Sequence, residues 1–284
     1  MVAIVNILKM VLPYNIFKYI RILWYRARNE LVYLETHLTD HCNLNCKSCM
    51  HFSPLSPEKF TDYDTFSRSI RRLKELFANI RVFRLMGGEP LLHPRVNDFL
   101  ITVRSAFPRS EIHLVTNGIL LARMTATFWE TCAGTGTIVD VTRYPIAMDL
   151  GPARTAAAAH GVVLSESTVS KFHNHHMNRR GDSCRTTTFK ACSFCPYLDS
   201  YSGRLHVCAA SALAPIYNEY FNEDLRVSER DSISIYDDIT SRKILKLLNN
   251  PISFCRYCTT RKTLFEWGRS SFAREEWFNS VMSG

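Results

Sequence analysis

The chain is expected to be an α/β protein built on a parallel sheet, with a small C-terminal module. Three observations predict this. Strand-like and helix-like segments alternate from about residue 31 to residue 168, the pattern of strands joined by crossover helices. Apolar residues make up 46% and charged residues 21% of the 284, a composition that buries a core rather than staying disordered. After residue 168 the alternation fades, and cysteines become frequent instead. Periodicity alone fits a doubly wound sheet and a barrel equally well.

The elements follow in order. "LVYLETHLT" reads as the first strand, and "TDYDTFSRSIRRLKELFANI" as a helix capped by Thr61 or Asp62. "RVFRLMGG" is strand-like, and "HPRVNDFLITVRSAF" helix-like with Pro94 in its first turn. "EIHLVTNG" reads as a strand, "LARMTATFWETCAG" as a helix and "TIVDVTRYP" as a strand. "GPARTAAAAHG" and "VVLSES" add a helix and a strand. "KFHNHHMNRRGDSCRTTTFK" is polar and irregular, with His173, His175 and His176 expected on a solvated loop.

Ahead of this lies residues 1–33, expected to be helical with a break near Pro13. Ile16, Phe17, Ile20, Leu23 and Trp24 recur at helical spacing among Lys18, Arg21, Arg26 and Arg28. Such a helix covers one end of a core or lies on a lipid surface, so peripheral membrane contact through residues 1–30 is one expectation. Lys9 and Pro13 interrupt the apolar run, and no small-residue cleavage site follows, so no export signal is expected. No stretch reaches the roughly 18 apolar residues of a membrane span. A cytoplasmic location is therefore expected. There, ten cysteines point to metal or redox chemistry rather than to disulfides. The net charge of +9 suits an anionic partner or a dispersed basic surface.

The sharpest signal is "DHCNLNCKSCMHF". Cys42, Cys46 and Cys49 follow the first strand, on the loop at its C-terminal end, where parallel α/β folds bind ligands. A closed zinc site wants four ligands, and no fourth cysteine lies nearby, although His41 and His51 flank the set. An iron–sulfur cube held by three thiolates keeps one iron open to a small molecule. "MGGEP" follows the second strand, with glycines that let backbone approach a ligand and Glu89 as an acceptor.

Cys-x3-Cys-x2-Cys closely resembles the signature of radical S-adenosylmethionine (SAM) enzymes. The resemblance covers roughly residues 34–168 and implies a partial (β/α)6 TIM-like barrel. It implies that Cys42, Cys46 and Cys49 hold a 4Fe–4S cluster whose open iron binds SAM. It also implies that Gly87, Gly88 and Glu89 hold the SAM amino group. Thr116, Asn117, Thr142, Arg143 and Tyr144, at later strand ends, become candidates for its ribose or carboxylate. Ser48 stands where the family usually has an aromatic residue near the adenine, and Phe52 is the expected substitute.

The C-terminal module carries Cys192, Cys195, Cys208, Cys255 and Cys258. Two Cys-x2-Cys pairs with a cysteine between them are a metal signal, and zinc is the default reading of such hooks. Cys192, Gly203 and Cys208 at their spacing resemble the opening of the SPASM motif, and Cys255-x2-Cys258 its next part. The later SPASM cysteines are absent, which resembles the shorter twitch domain of 2-deoxy-scyllo-inosamine dehydrogenase-type enzymes. That implies a second, auxiliary 4Fe–4S cluster, with Cys192 or Cys195 as one ligand. The expected layout is residues 1–33 helical, 34–185 barrel and 186–284 twitch-like domain.

The resemblance implies an oxidoreductase making a 5′-deoxyadenosyl radical. It would abstract hydrogen from a small substrate, foremost a sugar or aminocyclitol-like alcohol, with the auxiliary cluster accepting an electron. Its expected partners are that small molecule and an electron donor such as flavodoxin or ferredoxin. Peptide modification and sugar epimerisation are the alternatives within the family, and Cys184 is the candidate hydrogen donor for the latter. Cys132 is expected in the core, and Trp267 and Arg269 against a C-terminal helix. From another class, a zinc-stabilised nucleic-acid-binding module would use the +9 charge.

Overall fold

Glu30–Thr39 forms β1, and all but two of its residues are buried, as a central strand covered on both faces requires. It is the axis of the molecule in the computed structural model, which describes residues 28–174, 177–192, 196–261 and 263–278. Most of the expected N-terminal helix, with its proposed lipid contact, lies outside the described residues, as do Cys195, His175 and His176.

The alternation expected from the sequence is present. Strand β1 is followed by helix α1 (Tyr63–Leu76), β2 (Asn79–Gly87), α2 (Val96–Ala106) and β3 (Glu111–Thr116). Then come α3 (Ala126–Thr135), β4 (Thr137–Arg143), α4 (Gly151–His160) and β5 (Leu164–Thr168). Asp62 is the cap of α1: its carboxylate accepts the Thr65 N–H at 2.9 Å. Phe66, Ile70 and Leu73 repeat at helical spacing and bury one face of α1. Helix α2 starts later than expected, at Val96 after Arg95, so Pro94 precedes the helix rather than entering its first turn.

The polar stretch after residue 168 is more regular than its composition suggested. It contains β6 (Lys171–Asn174) and α5 (Arg185–Ala191). Beyond it come β7 (Tyr197–Asp199), β8 (Arg204–His206), α6 (Ala209–Phe221), β9 (Ser232–Ser234), α7 (Ser241–Leu248) and β10 (Thr263–Glu266). No α-helix follows α7 among the described residues. Ser253–Tyr257 and Arg274–Trp277 are 3-10 turns.

The sheet runs β5-β4-β3-β2-β1-β7-β8-β9. Strands β1 to β5 pair in parallel and in sequence order, the arrangement of a partial TIM-like barrel. Strand β6 does not extend it. It pairs antiparallel with β10 as a separate ribbon, Phe172 opposite Phe265. The sixth parallel strand is instead β7, on the other flank of β1, with Glu35 opposite Tyr197 and Thr36 opposite Leu198. The Thr36 hydroxyl donates to the Leu198 carbonyl at 2.9 Å and shares a 2.7 Å bond with Ser200. Strands β8 and β9 then add antiparallel. The strands of the C-terminal part therefore continue the barrel sheet, and one buried cluster joins Leu38 and Phe83 to Tyr217, Phe254 and Trp277. No helix among the described residues is long and apolar enough to cross a membrane.

Candidate functional site

The loop after β1 carries Cys42, Cys46 and Cys49, and its course is held from several sides. Asn45, Ser48 and Phe52 all take left-handed backbone, with φ of 54°, 56° and 54°. Such angles persist in non-glycine residues only where surroundings over-determine them. Here the surroundings are a C-terminal segment. Lys47 donates its N–H to the Gly268 carbonyl at 2.8 Å, and Ser270 donates to the Asn45 carbonyl at 2.8 Å. The Ser48 hydroxyl donates to the Glu276 carbonyl, and the Trp277 indole to the Cys49 carbonyl at 2.7 Å. Ser48 is thus a turn residue clamped from behind, which explains why no aromatic ring stands there.

The end of β2 closes against the same loop. A Cβ on Gly87 would sit 2.1 Å from the Thr39 carbonyl oxygen, and one on Gly88 2.0 Å from that of His41. These glycines are needed for backbone to approach backbone, and both also line the cavity beside the cysteine loop. Glu89, behind them, is fully buried. Its carboxylate accepts from the Thr116 hydroxyl at 2.6 Å, the Asn117 N–H at 2.8 Å and the Leu91 N–H at 3.1 Å. Burial pushes its pKa up to about 7, against the pull of those three bonds. Glu89, expected at the SAM amino group, ties the ends of β2 and β3 together and is not among the residues lining that cavity. The groups it leaves facing the cavity are the backbones of Gly87 and Gly88.

That cavity measures about 410 Å³ and opens at the C-terminal ends of β1 to β4. Cys42, Cys46 and Cys49 line it, with Met50, His51, Gly87, Gly88, Thr116, Asn117, Thr142 and Tyr144 among the rest. Besides Glu89, three expected residues are not there. Phe52 is in the core against Tyr217 and Trp277, so it does not replace the missing aromatic at an adenine site. Arg143 points away and pairs with Glu166 at 3.7 Å, because alternate strand residues face opposite sides. Cys184 lies on the surface, in a recess with Arg185 and Arg256, and not where a substrate in the cavity would need a hydrogen donor. Lys171 and Phe172 of β6 line the cavity unannounced by any motif.

The three thiols fit the cube that the spacing implies. Burial pushes the free Cys42 thiol up to about 11 and Cys46 up to about 12. Such sulfurs ionise when a cation compensates them, which iron supplies. Donors already face them: the Leu44 N–H is 3.4 Å from Cys42 Sγ, Asn117 Nδ2 is 3.8 Å away, and Trp267 Nε1 is 3.2 Å from Cys46 Sγ. Trp267 therefore serves the cysteine loop, and Arg269 pairs with Cys46 by backbone, instead of both packing a C-terminal helix. Beneath the loop, His37 Nδ1 meets Asp40 at 2.7 Å. Burial drives the His51 imidazole down to about 3, so it is neutral.

The second cysteine set is assembled from three places. Strand β8 runs back along β7, with His206 opposite Tyr197, so Cys192 before β7 and Cys208 after β8 lie at one end of the hairpin. Gly203 makes its turn with φ 66°. Cys255 and Cys258 arrive on the Ser253–Tyr257 turn. Its N–H groups at Ser253 and Phe254 donate to the buried Asp231 carboxylate at 2.6 and 3.2 Å. The Thr188 hydroxyl of α5 donates to the Cys255 carbonyl at 2.9 Å. Burial pushes Cys208 up to about 12 and raises Cys258 further, and charges on Cys192, Cys208 and Cys255 would each raise Cys258 more. These four thiols are thus within electrostatic reach of one another. Among the described residues no group of three or more His, Cys, Asp or Glu side chains is placed to hold a single metal ion, at either cysteine set. Asp231 had no sequence signal, since one aspartate in a loop looks like any other. Cys132 lies on the buried face of α3, in the core as expected.

Three cysteines and a glycine pair thus meet at the C-terminal strand ends of one parallel sheet. Residues 36–142 match the model of the radical SAM superfamily. The match supports a SAM-binding 4Fe–4S cluster and SAM as its cofactors. Among curated proteins, a GTP 3′,8-cyclase of Microcystis aeruginosa is 34% identical over 105 residues, which are 36% of this chain and 32% of that protein. A GTP 3′,8-cyclase of Clostridium perfringens is 36% identical over 95 residues, 32% of this chain and 29% of that protein. The chain thus matches under a third of these relatives' length. Among solved structures, BtrN in complex with AdoMet and 2-DOIA superposes with a TM-score of 0.50 at 19% identity. The superposition covers 80% of this chain and 92% of that one, a likeness of fold.

Proposed function

We propose that this chain is a radical SAM oxidoreductase acting on a small alcohol of the sugar or aminocyclitol kind. The observation that carries the radical SAM part is the wall of Cys42, Cys46 and Cys49 beside Gly87 and Gly88 in one cavity. A cluster held by these thiolates would supply an open iron and one electron for cleaving SAM to a 5′-deoxyadenosyl radical. Around it, the chain's own residues position and exclude. Asn117 and Tyr144 border the sulfurs, Gly87 and Gly88 offer backbone to the amino acid end of SAM, and Met50 and Phe172 keep water from the reacting carbon.

Oxidation of a carbinol to a ketone removes two hydrogens in balance. One leaves as an atom to the deoxyadenosyl carbon; the other leaves as a proton to solvent and one electron to an acceptor. Cys192, Cys208, Cys255 and Cys258 would hold an auxiliary 4Fe–4S cluster as that acceptor, with Cys195 the alternative to Cys192. Reduction by flavodoxin or ferredoxin would supply the first electron.

A GTP 3′,8-cyclase activity is the other reading that the relatives raise. A nucleoside triphosphate calls for clustered arginine and lysine. Lys171 is the cationic side chain among the described residues lining this cavity, and that favours a substrate of low charge.

Anaerobically reconstituted protein with about eight irons, two cubes' worth, should move deuterium from a labelled cyclitol or sugar alcohol into 5′-deoxyadenosine, read by mass spectrometry. Deuterium transfer from ribose-labelled GTP, with none from any alcohol, would replace this reading with the cyclase one.

A further inference from the structure

The indole of Trp267 is aimed at one sulfur. Its Nε1 lies 3.2 Å from Cys46 Sγ. An indole N–H donates and cannot accept, so the sulfur must be the acceptor. The geometry is set by backbone on both sides. The Trp267 N–H donates to the Ser170 carbonyl at 3.0 Å. The next residue, Gly268, takes the Lys47 N–H, and Arg269 pairs with Cys46 itself. The ring also lies against Tyr144, 5.8 Å between centroids and tilted by 45°.

We propose that Trp267 is a positioning residue whose N–H donates to the Cys46 thiolate and raises the reduction potential of the cluster bound there. The proposal rests on the reading of Cys42, Cys46 and Cys49 as cluster ligands. The physics is differential. Adding an electron to a cube puts more negative charge on its sulfurs, so a donor fixed at a sulfur favours the reduced state more than the oxidised one. The bond is charge-assisted and therefore stronger than a neutral one. Because the donor comes from the C-terminal segment, docking of that segment and ease of reduction are one event. A chain with residues 267–270 displaced would hold a cluster that is harder to reduce.

The test is a redox titration of anaerobically reconstituted protein, followed by electron paramagnetic resonance of the signal that changes when SAM is added. At a fixed potential, Trp267→Phe should lower the reduced-to-oxidised ratio by about threefold to tenfold, and Trp267→His, which keeps a ring N–H, should restore most of it. Identical titrations of wild type and Trp267→Phe, at equal iron content, would overturn the proposal while leaving the ligand reading intact. Failure of wild type to assemble any SAM-responsive cluster would overturn both. Wild-type protein with nitrogen-15 tryptophan gives a readout that needs no variant. Pulsed resonance of the reduced cluster should show a coupled tryptophan nitrogen, since Trp277 gives its N–H to a carbonyl and not to a sulfur. Absence of that coupling also refutes the proposal.

Discussion

The two cysteine sets are brought together by opposite routes. The first packs Cys42, Cys46 and Cys49 into one loop at a strand end, so their nearness is covalent. The second draws Cys192, Cys208, Cys255 and Cys258 from a helix end, a hairpin and a 3-10 turn, and its nearness is a product of folding. A compact loop loses little chain entropy when its ligands meet, whereas the dispersed set must close long loops first. The first set is therefore robust in spacing and needs clamping only for shape. The second is held by Asp231 and Thr188, which fix the turn bearing Cys255.

Replacing a cysteine in each set draws this contrast most sharply. Alanine at Cys42, Cys46 or Cys49 should remove about four irons and abolish 5′-deoxyadenosine formation altogether. Alanine at Cys208 or Cys255 should also remove about four irons, yet leave SAM cleavage without product oxidation. Iron analysis with chromatography of 5′-deoxyadenosine reads both. Equal loss of cleavage from the two sets would erase the distinction.

The next effect concerns Glu89, which supports the first set only. Its folded pKa of about 7 stands above the ordinary 4.5. The proton is thus bound more tightly in the folded state, and the stability it contributes is full below pH 4.5 and lost as pH rises to about 7. The stability of cluster-free wild type minus that of Glu89→Gln should therefore fall by about 3 kcal/mol across that window, measured by denaturant melts. His51, depressed to about 3, acts in the opposite direction as pH drops below its ordinary 6.5, but is common to both proteins and cancels. A flat difference would mean that Glu89 is ionised without penalty.

Smaller again is Asp231→Asn, expected to cost about 2 kcal/mol through weakened charge-assisted bonds to Ser228, Ser253 and Phe254. Iron should be lost from the second set alone. Trp277→Phe should cost about 1 kcal/mol, the worth of its bond to the Cys49 carbonyl, and loosen the first loop without emptying it. Thermal unfolding with iron content separates these two. Loss of iron from both sets in either variant would show that the two regions do not behave independently.

Much of the barrel was legible because strand–helix alternation is a local property. The apolar faces of α1 and α2 and the buried run of β1 repeat at fixed periods, and any window of the chain shows them. Strand β6 and helix α5 were not legible, since "KFHNHHMNRRGDSCRTTTFK" has no apolar period and its strand is made by pairing with β10, far along the chain. Phe52 and Arg143 were placed by proximity in sequence to real site residues. Burial took the first into the core, and strand alternation turned the second outward. Glu89 shows a subtler limit: its presence beside a glycine pair is visible, but not that Thr116, Asn117 and Leu91 take up its carboxylate.

By itself, the sequence determined the class of fold, the three-thiol loop and the radical SAM resemblance, because each is written in residues close together along the chain. Only the tertiary structure decided that β7 flanks β1, that four scattered thiols stand within reach of one another, and that Trp267 meets Cys46. Those are long-range pairings, specified by which surfaces bury one another and which polar groups find partners in doing so, and no local spacing encodes them.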